Sequence, residues 1–488
     1  MMGCRRPNLT VVARISVLLA FASGCRTCAL KPLPEGLSYR GEMLPASNVR
    51  FLSDRTYLDE TGERRIDQQI FDEVFAMIAR AERLVVVDAF LFNEFLGKSP
   101  PPHRRLCEEL TEALLARKRA APGLRAVLIT DPINTVYGGC EAAHLKRLEE
   151  AGIEVTVTRL DRLRDSNPIW SCVWRLLIRP WGNHSGGGWL PSPFGGGEVT
   201  LRSWLALLNF KANHRKVVVA DDGGDLRALV TSANPHDGSS AHSNVAVAFT
   251  GPAARAVLET EQAVLDFSGG RPPSLREATF GLAPPSADPR PCRQMRVQVL
   301  TEAAIADAAE AIISEAEAGD ALDLVMFYLA DRRLIRDLKA AARRGVALRV
   351  ILDPNKDAFG REKDGIPNRQ VAGELVAAGI SVRWAVTSGE QMHTKMLLVK
   401  KRGGTAELLA GSANFTRRNV RDYNLETDVR IAGCADAPAL RDAAVYVDGL
   451  WTNAGGCTFT AGYDAFRDDL RRRVFWYRLQ EATGLCTW

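Results

Sequence analysis

Histidine is scarce in this chain, seven residues in 488, so any pattern among so few carries weight. The one Cys-x2-Cys pair, Cys25 and Cys28, has no second cysteine pair to complete a zinc site, and neither a metal nor any other cofactor is expected. A strong excess of one charge is missing as well. The net charge of +5 and pI near 8.7 fit an anionic partner without identifying nucleic acid or membrane. The apolar run near the N-terminus, Ile15 to Ala22, is too short to cross a bilayer as a helix. What remains is an ordinary globular composition, 46% hydrophobic and 25% charged, on a chain long enough for two domains with substantial cores.

Two of the few histidines stand in matching frames. His214-Arg215-Lys216 leads into Val217-Val218-Val219, and His393-Thr394-Lys395 leads into Met396-Leu397-Leu398. Residues two apart on a strand project from one face, so each frame sets an imidazole beside an ammonium. Ser232-Ala233-Asn234 follows the first frame and Ser412-Ala413-Asn414 the second. Such a doubled set suits phosphate chemistry. One imidazole attacks phosphorus, the other protonates the leaving oxygen, and the lysines neutralise the phosphoryl oxygens.

The frames belong to a longer internal repeat. Leu84-Val85-Val86-Val87-Asp88-Ala89-Phe90 matches Leu322 to Tyr328, Ala126 to Pro132 matches Arg349 to Pro354, and Gly152-Ile153 matches Gly379-Ile380. Short apolar strands alternating with amphipathic helices predict an α/β protein of two pseudo-symmetric halves, each a mainly parallel mixed sheet flanked by helices. The expected divisions are a first half over 26–285, a second over 286–450 and an extension over 451–488, with a Pro/Gly-rich linker from Gly269 to Pro291.

An insertion interrupts the symmetry. Gly152 and His214 are 62 residues apart, whereas Gly379 and His393 are 14 apart. The extra segment, about 165–209, holds Trp170, Trp174, Trp181, Trp189 and Trp204, five of the nine tryptophans, together with Arg175, Arg179 and Arg202. That mixture suits a lipid headgroup boundary or, equally, packing of the insertion onto the body.

Arg5, Arg6 and Arg14, the apolar run and Ala22-Ser23-Gly24-Cys25 have the parts of a secretory signal over 1–25. Cys25 is placed as a bacterial lipoprotein attachment residue would be. The expectation is export to the periplasm or cell envelope with a lipid anchor. Cys28, Cys107, Cys140, Cys172, Cys292, Cys434, Cys457 and Cys486 then form an even set in which some disulfides are expected.

Together the frames resemble the phospholipase D superfamily, whose signature, His-x-Lys-x4-Asp followed by Gly/Ser-x-Asn, occurs twice. The first copy is complete in His214, Lys216, Asp221, Ser232 and Asn234. The second has His393, Lys395, Ser412 and Asn414 but carries Lys400 where Asp221 has its counterpart. The resemblance covers about residues 45–450. It implies a bilobal fold with the site at the interface, a covalent phosphohistidine and no metal. In the family the aspartate supports local structure, and strand parity turns position 400 away from His393 and Lys395, so activity is expected to survive the lysine. The resemblance also implies a downstream carboxylate behind a catalytic histidine. Glu426 is expected to serve His393, the first half offering only Asn244 or Ala246, and His214 is provisionally the nucleophile.

His236 and His242 read as solvated loop histidines, Arg417-Arg418 as a solvated basic turn, and Asp131 and Asp353 as residues that end strands and shape turns. The leading expectation is a monomeric phosphodiesterase or phosphatidyltransferase acting on phospholipids at a membrane surface. The alternatives are a nuclease of the same superfamily and a non-catalytic phosphate- or lipid-binding protein with a degenerate second motif.

Overall fold

The computed structural model describes residues 31–486 apart from 98–100, 187, 195–196, 270–273, 276–293 and 359–360. The signal segment, Cys25, Cys28, Cys292 and most of the expected linker lie outside the described residues. Among the described residues no helix is long and apolar enough to cross a membrane.

Two large sheets organise the chain. The first has eight strands in the order Arg64–Asp67, Ser47–Leu58, Asn244–Thr250, Asp225–Thr231, Lys216–Asp222, Leu84–Ala89, Arg125–Thr130, Glu154–Val157. The second has nine and repeats that order through Thr427–Cys434, Thr405–Gly411, Lys395–Lys400, Ala321–Met326, Ala347–Leu352 and Ser381–Ala385. The expected two-half α/β architecture is present, and both sheets are mixed.

The expectation of mainly parallel sheets is corrected. Only Leu84–Ala89, Arg125–Thr130 and Glu154–Val157, and their second-half equivalents, pair in parallel; their neighbours are antiparallel. The reason is connection length. Helices link the parallel strands, whereas a tight turn returns each His/Lys strand onto its successor. Gly223 and Gly224, at φ of 62° and 96°, make the two-residue turn between Asp222 and Asp225, a left-handed backbone that glycine adopts without strain.

Both faces of the central strands are buried, which accounts for their continuous apolar runs. Val217, Val219, Val245, Val247, Met396, Leu398 and Val429 meet between the sheets in one shared core. The alternate residues Val218 and Ala220 pack outward under helices Ile70–Arg80 and Leu106–Ala120, and Leu397 and Val399 pack under Ala303–Ser314 and Arg332–Arg343. Helices Pro252–Ser268 and Pro438–Thr452 contribute Val257, Val264, Leu440 and Val447 to the shared core.

The expected domain divisions are crossed at both chain ends. Leu44–Pro45 pairs with Arg296–Thr301 at one edge of the second sheet, and Thr460–Gly462 adds a strand at the other. Cys434 is disulfide-bonded, while Cys107, Cys140, Cys172 and Cys457 are free thiols.

Candidate active site

The two His/Lys frames lie at the same end of the sheets, beside the carboxyl ends of the parallel strands. Lys216 pairs with Ala89, and Lys395 with Met326, each the last residue of its strand. Ligands of α/β sheets bind at this end, where loops after the strands converge. The strands begin at Lys216 and Lys395, so each histidine stands two residues before the strand proper. A buried aspartate fixes that approach. Asp131 accepts from the Asn213 amide at 2.7 Å and Asp353 from the Met392 amide at 2.8 Å. Both also bind an amide two residues on, so the expected turn-shaping role is joined by a hold on the residue preceding each histidine.

The seating of the histidines corrects one sequence expectation. Glu426 does not back His393, the histidine of its own half. Its carboxylate lies 2.9 Å from Nδ1 of His214, across the interface. Asn244 of the first half takes the reciprocal place, with Oδ1 3.0 Å from Nδ1 of His393. Backbone bridges enforce the exchange. The His214 amide donates to the Leu425 carbonyl at 2.8 Å, and the Ser243 amide to the Gln391 carbonyl at 3.0 Å. Position along the chain could not reveal this, because the exchange exists only once the halves face each other.

The Ser-x-Asn elements complete each seat. Ser412 Oγ donates to Glu426 at 2.5 Å, and Asn419 donates to its other oxygen. Ser232 Oγ donates to Asn244 Oδ1 at 2.9 Å. The Asn244 amide nitrogen donates to the His242 carbonyl, which leaves Oδ1 to accept from Ser232 and His393. In both seats the partner engages Nδ1, which leaves Nε2 outside the contact. Asn234 accepts from the Leu91 amide at 3.4 Å, and Asn414 is buried at the equivalent place.

Phe90 and Phe327 were not singled out as site residues, yet each covers one frame. Phe90 meets His214 edge-on at 4.7 Å with Lys216 Nζ 5.0 Å from its ring centre; Phe327 meets His393 at a tilt at 5.0 Å, with Lys395 Nζ 5.2 Å from its ring centre. Their only sequence signal was their matched position after the repeated strands. Asp428 was also missed: it accepts from the Ala413 amide at 3.0 Å, the place Thr231 takes for Ala233 in the first half.

Burial dominates the electrostatics. It pushes Glu426 up to about 7, against Lys216, and Asp428 up to about 8. It draws Lys216 down to about 7 and Lys395 well below the usual lysine range. Burial, with Lys216 and Lys395, holds His214 well below 6.5; burial, Lys395 and His242 do the same for His393. Burial therefore favours the uncharged forms, and an anion among the lysines would restore their charge.

Asp221 and Lys400 have separate structural tasks. Asp221 accepts from the amides of Glu82, Arg83 and Leu84 at 3.1, 2.9 and 2.7 Å, tying the His/Lys strand to the start of its neighbour. In the second half the charges are exchanged. Lys400 reaches buried Asp323 at 3.1 Å, and Lys401 reaches Asp320 at 3.3 Å. Asp320 accepts from the Arg402 amide. The carboxylates have moved to the neighbouring strand and its approach, and the two strands remain tied.

Further side chains depart from expectation. His242 is buried 5.8 Å from the His393 ring and drawn down to about 3, and His236 is buried and drawn down to about 4. The loop carrying them is folded into the cleft rather than solvated. Arg418 is buried over Phe210 with its guanidinium on the Gly484 and Cys486 carbonyls, and Arg417 bonds Tyr423, so that pair is no solvated turn. Arg215, inside the first motif, is fully buried between Glu261 and Glu302 at 3.2 and 2.8 Å; Glu302 also accepts from the Glu426 amide. No cluster of three or more His, Cys, Asp or Glu suited to a metal occurs among the described residues.

Residues 310–451 match the family model described as "Cardiolipin synthase, PLD-like domain". No curated protein matches the chain in sequence. Among solved structures, the phosphatidylserine synthase of Haemophilus influenzae Rd KW20 is similar over 91% of this chain and 96% of its own, with TM-score 0.55 and 12% identity. Nuc, a phospholipase D family member from Salmonella typhimurium, aligns with 32% of this chain and 95% of its own, with TM-score 0.26 and 20% identity. The first of these is a likeness of fold. Fold and paired His/Lys frames define a two-half phospholipase D-like protein. Residues 310–451 carry the matched PLD-like domain, and the likeness of fold extends over both halves.

Proposed function

We propose that the protein is a phosphodiesterase of phospholipids, working by hydrolysis or by transfer of the phosphatidyl group to an alcohol. The observation that carries this reading is the reciprocal seating: His214 on Glu426 and His393 on Asn244. Different partners suit the two imidazoles to different steps. A carboxylate behind His214 stabilises positive charge as Nε2 attacks phosphorus, so His214 is the nucleophile. A neutral amide behind His393 gives no such support, so once the phosphodiester anion has drawn a second proton onto this imidazole, its Nε2 proton is readily released to the leaving oxygen.

In the first step the His214 Nε2–P bond forms, the bond from phosphorus to the leaving alcohol breaks, and His393 supplies that oxygen's proton. In the second, water or an alcohol attacks phosphorus, the N–P bond breaks, and His393 recovers a proton from the attacking oxygen. Lys216 and Lys395 neutralise the phosphoryl oxygens. Choice of a phospholipid is supported by the matched domain description and by the tryptophan- and arginine-rich insertion. We further propose that the protein is exported and held at the envelope through Cys25, which a Cys25→Ser variant tested for membrane partition would check.

The deciding experiment incubates the purified protein with phosphatidylglycerol and, separately, with single-stranded DNA, alongside His214→Ala and His393→Ala. Lipid turnover abolished in both variants is the expected result. DNA cleavage alone would replace the substrate, and phosphate binding without turnover of either would leave a non-catalytic binder.

A further inference from the structure

The insertion and the body together line a half-open cavity of about 270 Å³ that neither histidine lines. The short helix Pro168–Val173 continues into a wider π-helical turn, Trp174–Ile178. Trp174, Arg175 and Arg179 of this stretch face the cavity, and Arg159, Arg202 and Lys211 close it from other segments. Thr158 and Pro132 form its wall toward the catalytic centre. Thr158 accepts from Asn213, the neighbour of His214, so the cavity lies just behind the first seat.

Its charge is not balanced internally. Arg175 and Lys211 share Asp165 at 2.8 and 2.7 Å, and Arg159 and Arg179 share Asp161 at 3.7 and 3.5 Å. Arg202 forms no ion pair among the described residues. Five cations therefore meet two carboxylates. Trp174 adds an indole N–H that is buried without a hydrogen-bond partner among the described residues. An unpaired donor in a cavity with surplus positive charge calls for an anionic oxygen ligand.

The same stretch shows solvent a different face. Leu176, Leu177 and Trp181 are 62%, 67% and 73% exposed, directly between and beside the cavity-lining residues. A soluble anion makes no use of such a ridge. An anionic phospholipid uses both features, its phosphate in the cavity and its chains along Leu176, Leu177 and Trp181 in the bilayer.

We propose that the insertion is a non-catalytic anchoring site for the headgroup of an anionic phospholipid, which seats the protein on a membrane with the catalytic cleft alongside. The choice of a lipid surface rests on the phospholipid reading above; the cavity and its charge do not. Vesicle binding is therefore measured in the His214→Ala protein, where turnover plays no part. Vesicles of phosphatidylcholine alone are compared with vesicles containing phosphatidylglycerol, and inorganic phosphate is titrated separately.

The expected result is strong preference for the phosphatidylglycerol vesicles, reduced roughly thirtyfold by Arg179→Gln with Arg202→Gln. Arg179→Lys with Arg202→Lys should retain most of it, showing that the loss is one of charge and not of folding. Leu176→Ser with Trp181→Ser should weaken binding to both vesicle types. Undiminished vesicle binding by the glutamine variant would overturn the proposal. So would saturable binding of inorganic phosphate by a protein that ignores both vesicle types, which would mark a free-anion site. Vesicle binding as expected from a wild-type protein that turns over no lipid would instead count against the catalytic reading alone.

Discussion

Glu426 lies 2.9 Å from Nδ1 of His214 although 212 residues separate them and a histidine of the same frame, His393, stands in its own half. Each half thus orients the other's imidazole, and neither frame is complete alone. The unequal partners, a carboxylate and an amide, give two otherwise similar histidines different chemistry.

Glu426→Gln should leave the fold intact and slow formation of the phosphohistidine by about a hundredfold or more, because the imidazole loses its anionic partner. Rapid-quench measurement of the covalent intermediate checks this directly. Equal slowing of formation and breakdown would assign Glu426 to general scaffolding.

Asn244→Asp places a carboxylate behind His393 and should raise that imidazole's pKa. A raised pKa keeps the acid protonated to higher pH. The alkaline limb of the kcat profile should therefore move upward by about one unit, with a lower plateau, since a better-stabilised imidazolium gives up its proton less readily. A pH–rate series on the variant provides the test.

Anion binding should take up protons. Lys216 sits at about 7 because burial disfavours its charge. A phosphate beside it raises that value, so at pH 8 a largely neutral amine gains a proton as the anion enters. Affinity for inorganic phosphate or tungstate should fall as pH rises through 7 to 9, by roughly tenfold per unit for one linked proton. Calorimetric titrations in two buffers of different ionisation enthalpy would count the protons; no uptake would mean that Lys216 is already charged before the anion is added.

Asp221→Ala should cost about 2–4 kcal/mol of stability, since the amides of Glu82, Arg83 and Leu84 lose their shared carboxyl acceptor, while activity per folded molecule persists. Lys400→Asp should not improve the second half. It sets a carboxylate beside buried Asp323 and should cost about 2 kcal/mol. Urea unfolding followed by fluorescence measures both.

Arg215→Met should be more damaging than either. It leaves Glu261 and Glu302 buried without their shared cation, for which about 4 kcal/mol is expected. The same denaturation experiment checks it.

The repeat, the central strands and the His/Lys frames were legible because each is local: apolar runs and i, i+2 spacing survive in one dimension. Parallel pairing was overestimated where a two-glycine turn, Gly223-Gly224, reverses the chain. Glu426 was recognised as a supporting carboxylate but given to the wrong histidine, because sequence order pairs it with its own half. Phe90, Phe327 and Asp428 escaped notice for a related reason. An aromatic ring after a strand, or an aspartate on one, has no distinctive pattern until its neighbour across the sheet is known. His242 illustrates the converse, since its loop composition suggested solvent and its packing against His393 placed it in the cleft.

The edge strand Leu44–Pro45 has a consequence for how the chain is made. Its partner, Arg296–Thr301, is synthesised some 250 residues later. A nascent chain emerging N-terminus first therefore carries an edge segment whose docking site does not yet exist. The first half can form its own sheet while that segment waits, but the shared core closes only when the second half arrives to receive it. Completion of the site is in this sense a late event of synthesis, and a truncated product would leave His214 without the carboxylate that orients it.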